Sequence, residues 1–293
     1  MTRTRIDIYI LLALIILGGL VYLAKIKKDQ ERLLHLRLKA PPAVTLPLER
    51  QCEIRLSQLK EQLDPRFNYV FAPPFVIAGD ISMDRMKKYT TRTIMTPARL
   101  MWRNFFSAKP DRVITILLFA GQTSYKSWTH RLFGIKQIPY FGYYTNSNHT
   151  LVMDINTGWG TLVHELTHAL IVYDYPQVPD WFNEGLASLH EGVRIDKEQL
   201  TGLMNWRLPI LHKAIREKRL RPLRELITAN DFYGPHIDEN YAQARYLMMY
   251  AQTNGVLREL YRKLRDSKGP DEHVSVVEQV FGVTIDTLDK RFR

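Results

Sequence analysis

Apolar positions recur along this chain at two periods, and the change from one to the other divides it. Phe67–Ala78 and Asp111–Phe119 alternate or run in aromatic and β-branched types, the pattern of strands, the first broken by Pro73-Pro74. Between them Ile81–Phe106 has helical spacing interrupted at Pro97, and a further helix is expected from about Thr123 to Leu132. Pro139–Tyr144 and His149–Ile155, separated by Asn146-Ser147-Asn148, predict strand, turn, strand. From there on the period is helical. Leu162, Val163, Leu166, Ala169 and Leu170 mark one helix, Pro176 and Pro179 break it, and a second runs from about Trp181 to His190 with Asp180 placed to cap it. Further helices are expected at Asp196–Glu217, Leu223–Ala229, Tyr241–Thr253, Val256–Lys268, Val274–Phe281 and Thr284–Arg293, with no return of a strand pattern. The fold class predicted is α+β, a small mixed sheet followed by an all-helical half.

Ahead of this body, Ile6–Ala24 is an almost unbroken apolar run that as a helix would be about 28 Å long, just enough to span a bilayer. Arg3 and Arg5 in front of it also suit a secretory signal, but Tyr22-Leu23-Ala24-Lys25 lacks the small residues a signal peptidase needs, so an uncleaved anchor is expected. The division is then a tail at 1–5, a transmembrane anchor at 6–24, a helical stalk at 25–65 and a catalytic body at 66–293. Lys25, Lys27, Lys28, Arg32, Arg37 and Lys39 after the run favour a cytoplasmic body by the count of Lys and Arg. The signal-like layout favours the other side, and an extracytoplasmic body is the expectation. Within the stalk, Leu48–Leu63 is an amphipathic helix, loosely packed; its Cys52 shares a stripe with Leu56, Leu59 and Leu63, which makes it a small hydrophobe and not a nucleophile. As the single cysteine it excludes an internal disulfide.

The net charge of +11 comes without a zinc finger, an aromatic RNA-binding signature or an uninterrupted basic tail, so no nucleic-acid partner is expected. Anionic lipid headgroups are the nearer explanation; the densest basic stretch, Lys213–Arg224, is read as a solvated helix face.

The chemistry concentrates in Gly160–Glu191. His164 and His168, four apart on one helix, project two imidazoles from one face, as the first two ligands of a tetrahedral zinc site require. Glu165, beside the first, can take a proton from a metal-activated water without being a ligand. Catalytic zinc keeps three protein ligands and one open position, and the second helix can fold back to present Glu184 as the third. The reaction expected is hydrolysis of a peptide bond, with one zinc per chain as cofactor and a peptide or protein as substrate. Two other classes of function stay open: a non-catalytic scaffold or receptor, against which Glu165 argues, and a zinc hydrolase of a non-peptide amide.

Asn183-Glu184-Gly185-Leu186-Ala187, following a tryptophan and a proline-rich turn, resembles the third-ligand segment of gluzincin metallopeptidases. With Gly160-Thr-Leu-Val-His-Glu-Leu-Thr-His168, Tyr241-Ala-Gln-Ala-Arg-Tyr-Leu247 and the closing Val280-Phe-Gly-Val-Thr284, the chain from Phe67 onward is similar to the peptidase-MA-like domains of this class. The resemblance implies a zincin-like, thermolysin-like fold in which Leu151–Ile155 forms the sheet edge that receives the substrate as an added strand. It also implies a tyrosine or histidine from the helical half at the developing oxyanion, for which Tyr241 is chosen over Tyr246 and His236. The chain departs from the family in two respects. The Gly-x-Met-Glu-Asn segment that binds a substrate amine is absent, so exopeptidase action has no support. Ser188 stands where an acidic residue orients a zinc histidine; Glu191, one turn on, is either its replacement or an exposed helix carboxylate.

Overall fold

The computed structural model describes residues 46–135, 141–196 and 198–293. The apolar run at 6–24 and the first part of the stalk lie outside them, and among the described residues no helix is long and apolar enough to cross a membrane. The architecture is α+β: one mixed five-stranded sheet with helices on both faces, continuing into a helical half.

The sheet consists of β1 (Asn68–Ala72), β2 (Phe75–Gly79), β3 (Ile114–Phe119), β4 (Gly142–Thr145) and β5 (Thr150–Asp154), in the order β1-β2-β3-β5-β4. β2, β3 and β5 run parallel, with Ile77 opposite Ile116 and Ile116 opposite Leu151, while both edge strands are antiparallel to their neighbours. Helices cover both faces, so every residue of β2, β3 and β5 is buried, and this is why those strands read as apolar runs. Strand alternation sorts the side chains: Phe75, Ile77, Ile116, Leu151 and Met153 join the larger core, whereas Val76, Ala78, Leu117, Phe119 and Val152 face a smaller one.

The smaller core is closed by α1 (Leu48–Gln62) and by the later helix Gln122–Phe133. The expectation of a loosely packed stalk is therefore corrected for this part of it. Cys52 and Leu59 are fully buried, Gln51 donates to the Asp111 carbonyl at 2.9 Å, and Arg55 donates to Thr115 Oγ1 at 2.7 Å. A stripe that buries two polar anchors against the sheet belongs to the body. Burial also pushes the Cys52 thiol up to about 11, in keeping with a packing role.

On the other face lies a continuous helical stretch made of Met83–Tyr89, a wide π turn at Thr90–Met95 and Thr96–Asn104. The break expected at Pro97 becomes this wider turn just before it, which accommodates a residue that has no N–H to donate. Beneath it sit the two helices that carry the candidate ligands, Trp159–Asp174 and Asp180–His190. The cap is not as expected: Pro179 is the N-cap, without a side-chain hydrogen bond, and Asp180 is the first helical residue.

Two further expectations are overturned. Val193–Asp196 and Gln199–Gly202 form a two-stranded antiparallel hairpin, its second strand lying where helix was expected from Asp196 on, and helix begins only at Leu208–Arg216. Val193, Leu200 and Gly202 are buried while Arg194, Ile195, Asp196 and Gln199 are exposed, a pattern too short and irregular to stand out in sequence. And β5 is not the sheet edge; β4 pairs with its outer side, Tyr144 opposite Leu151, leaving β4 as the edge on the side of the ligand helix. Strand, turn, strand was read correctly, but which of two adjacent strands lies outermost depends on where β3 pairs, and that is a long-range choice.

The remaining helices are Leu223–Thr228, Ile237–Thr253, Leu257–Arg265, His273–Phe281 and Ile285–Phe292, close to the predicted spans. Ile237–Thr253 packs directly on Asp180–His190 at Gly185, where a Cβ would stand 2.9 Å from the Ala244 carbonyl oxygen. Small size at position 185 thus brings the helical half within reach of Glu184.

Candidate metal centre

The two ligand-bearing helices are held at close range by Gly160, where a Cβ would lie 2.2 Å from the Glu191 carbonyl oxygen. That approach superimposes the first helix's histidine face on the start of the second helix. His164 Nε2 and His168 Nε2 come within 3.0 Å of one another, and Glu184 Oε2 lies 3.3 Å from the first and 3.4 Å from the second. All three residues are largely shielded, His164 with 8% and Glu184 with 6% of its surface exposed.

A tetrahedral zinc with bonds of about 2.0–2.1 Å holds its ligand atoms about 3.3 Å apart, and the observed triangle has that size. The donor set, two imidazoles and a carboxylate, is also that of hydrolytic zinc. Glu184 Oε2 is buried with the two Nε2 atoms as close neighbours but no well-aligned hydrogen bond, an arrangement a cation would complete. Among the described residues, this is the His/Cys/Asp/Glu group whose ligand atoms converge. The residues present fit the ion.

The outer atoms of the three candidate ligands also have polar neighbours. His168 Nδ1 stands 2.9 Å from Asn183 Oδ1, so the ring donates there and turns Nε2 inward. His164 Nδ1 stands 3.1 Å from Glu191 Oε1. Of the two readings of Glu191, the exposed helix carboxylate is overturned: it is mostly buried beside His164 and gripped by Arg207 at 2.8 and 3.2 Å and by Asn205 Nδ2 at 3.1 Å. Glu184 Oε1 accepts from the Tyr233 hydroxyl at 2.7 Å.

Burial alone would lower His164, but Glu184 and Glu191 outweigh it and raise the imidazole to about 10. His168 is raised as well: burial is again the largest single influence and lowers it, but the charge and hydrogen bond of Glu184, with the Glu165 charge, together outweigh it. In the same way burial would raise Glu184 and Glu191, yet the histidines hold Glu184 well below the carboxylate range, and His164 with Arg207 holds Glu191 at about 2. Without an ion, then, the cluster keeps its negative charge and gathers protons onto nitrogen; a metal ion would displace them.

Glu165 is half-buried on the same helix, and its charge acts on both histidines and on Tyr241. Tyr241 lies in the helix Ile237–Thr253 with its ring 4.8 Å from the Arg207 guanidinium; burial first and the Glu184 charge second raise its phenol, so it remains an O–H donor at neutral pH. Its rivals are placed elsewhere. The Tyr246 hydroxyl accepts from the Asn205 N–H at 3.2 Å, and His236 is exposed at the N-cap of that helix.

Sequence reasoning missed Asn183, Tyr233, Asn205 and Arg207. Asn183 had a signal, since a residue next to a ligand on an inward-facing helix turn is poised to meet the other ligands. The other three carried none: Asn205 and Arg207 lie 14 and 16 residues beyond the Glu191 they hold, and Tyr233 lies 49 beyond Glu184. Comparison of the chain with protein-family models and with curated proteins finds no match in either.

Proposed function

We propose that this chain is a membrane-anchored zinc metallopeptidase of gluzincin type, with a zincin-like catalytic body and an anchor at residues 6–24 that places this body outside the cytoplasm. The observation that carries the reading is the triangle of His164 Nε2, His168 Nε2 and Glu184 Oε2, with sides of 3.0, 3.3 and 3.4 Å, beside a general base in Glu165. A purely structural zinc site needs no neighbouring base and is closed by four protein ligands, whereas three converge here among the described residues.

Zinc bound by His164, His168 and Glu184 would supply Lewis acidity, polarising a peptide carbonyl and making a water acidic at neutral pH. Glu165 accepts the proton of the attacking water and returns it to the departing amine as the C–N bond breaks. Tyr241 donates its phenolic hydrogen to the carbonyl oxygen as charge develops there. Asn183 and Glu191 keep the two imidazoles turned so that their Nε2 atoms face the centre. The free edge of β4, Gly142–Thr145, offers backbone hydrogen bonds to an extended substrate.

The decisive experiment joins zinc analysis to turnover of a peptide library. Wild-type protein is expected to carry about one zinc per chain and cleave; Glu165→Gln is expected to keep the zinc and lose about 10²–10⁴-fold in kcat. Full activity in that variant would end the peptidase assignment.

A further inference from the structure

Of the partners around the ligands, Asn183 and Glu191 belong to the same stretch of chain as Glu184. Tyr233 does not. It is carried by the loop between Leu223–Thr228 and Ile237–Thr253, and that loop is tied down on either side of it. Asp231 pairs with Arg221 through both oxygens, at 2.8 and 3.1 Å. Phe232 is buried and its carbonyl accepts from Asn240 Nδ2 at 2.8 Å, while the Gly234 N–H donates to the Asp231 carbonyl at 2.8 Å. Between these fixed points Tyr233 is 40% exposed, yet its hydroxyl reaches inward to Glu184 Oε1 at 2.7 Å.

A glutamate's terminal torsion is broad and nearly two-fold, so an unheld carboxylate exchanges its oxygens and its aim. Here one oxygen is engaged by a phenol and the other is left directed at both Nε2 atoms. We infer that Tyr233 is a positioning residue for the metal centre: a latch, delivered by the loop, that fixes the Glu184 carboxylate with Oε2 inward and so sets how long the ion is retained. This rests on the zinc reading above and adds to it a residue and a loop through which the helical half governs metal retention. Tyr241, with its ring 4.8 Å from the Arg207 guanidinium, also interacts with Glu184 but belongs to the helix and not to the loop, so Tyr233 is the loop's own contact to the carboxylate. Partners of this kind typically contribute about 10–100-fold to metal affinity.

The test uses the full chain loaded with zinc and follows release of the ion into an excess of chelator. Tyr233→Phe removes one oxygen and keeps the ring, and it is expected to release zinc about 10–100-fold faster than wild type. Its metal-free melting temperature should fall by no more than about 2–4 °C, the loss of a single hydrogen bond, which separates latching from a general loosening of the fold. Arg221→Ala, which frees the loop without touching the cluster, should accelerate release in the same direction by a smaller factor. Wild-type protein that retains zinc together with a Tyr233→Phe variant that releases it at the same rate would overturn the latch and leave the zinc reading standing. Wild-type protein that takes up no zinc would instead end the zinc reading itself.

Discussion

The two ligand-bearing helices contain a second buried histidine environment, and it is the opposite of the first. His190, at the end of Asp180–His190, is 1% exposed and His164 is 8% exposed, so burial does not distinguish them. His190 is pushed down to about 3 by burial, with the charges of His164 and Arg245 adding to it, whereas His164 is raised to about 10. The difference is the neighbours. Around His164 stand Glu184 and Glu191; His190 has Thr167 Oγ1 at 3.0 Å and the Phe105 ring at 6.0 Å. Neighbouring carboxylates make the site of a buried imidazole attractive to positive charge, proton or metal ion alike, and without them the imidazole here is a neutral part of the core.

The contrast is broken most severely by removing a ligand. His168→Ala should abolish stoichiometric zinc binding, measured by elemental analysis, while His190→Gln should keep about one zinc per chain and lower stability by about 1–3 kcal/mol. Loss of zinc from a folded His190→Gln protein would mean that the two environments are one. A smaller effect on the same side is expected from the outer partners: Asn183→Ala and Glu191→Gln should each weaken zinc by about 10–100-fold in a competition titration, without unfolding the metal-free chain.

These partners also mark the limit of what was legible. The convergence of His164 and His168 was readable because helical periodicity places i and i+4 on one face, and that of Glu184 because a proline break and an apolar helix follow in short order. The parallel strands were readable from their unbroken apolar runs. Tyr233 and Arg207 were not, since each reaches the site from a loop whose path is set by helix packing, as at Gly185 against Ala244. The same reason hid the hairpin at Val193–Gly202 and exchanged the order of β4 and β5. Local period survives in sequence; the choice among long-range neighbours does not.

The contrast sharpens further with pH. The folded pKa of His164 lies above its ordinary 6.5, so its contribution to the stability of metal-free protein is complete below pH 6.5 and is lost as pH rises through about 10. His190 behaves inversely. Its folded value of about 3 lies below 6.5, so the stability tied to its neutral form is complete above pH 6.5 and is lost as pH falls toward about 3. Zinc requires the deprotonated Nε2 atoms, so its binding should strengthen over the interval in which the His164 contribution fades. Melting curves with and without zinc from about pH 5 to pH 10 should therefore diverge as pH rises. Parallel curves would show that the protons of the cluster are not those the metal displaces.

The smallest expected effect comes from Thr167, which stands between the two environments. Its hydroxyl donates to the Val163 carbonyl at 2.8 Å, so the 3.0 Å contact to His190 is made by the ring's Nδ1–H donating to the hydroxyl oxygen. Thr167→Val keeps the shape and removes the acceptor, leaving a buried N–H unsatisfied; a loss of about 1–3 kcal/mol is expected, and Thr167→Ser should restore most of it. Zinc affinity should not change in either variant, although Thr167 is next in sequence to a ligand, because its side chain faces His190 and not the carboxylates. If Thr167→Val instead weakened zinc as much as Asn183→Ala, the neutral histidine would have to be counted among the supports of the metal centre, and the line drawn between the two faces of the helix would be in the wrong place.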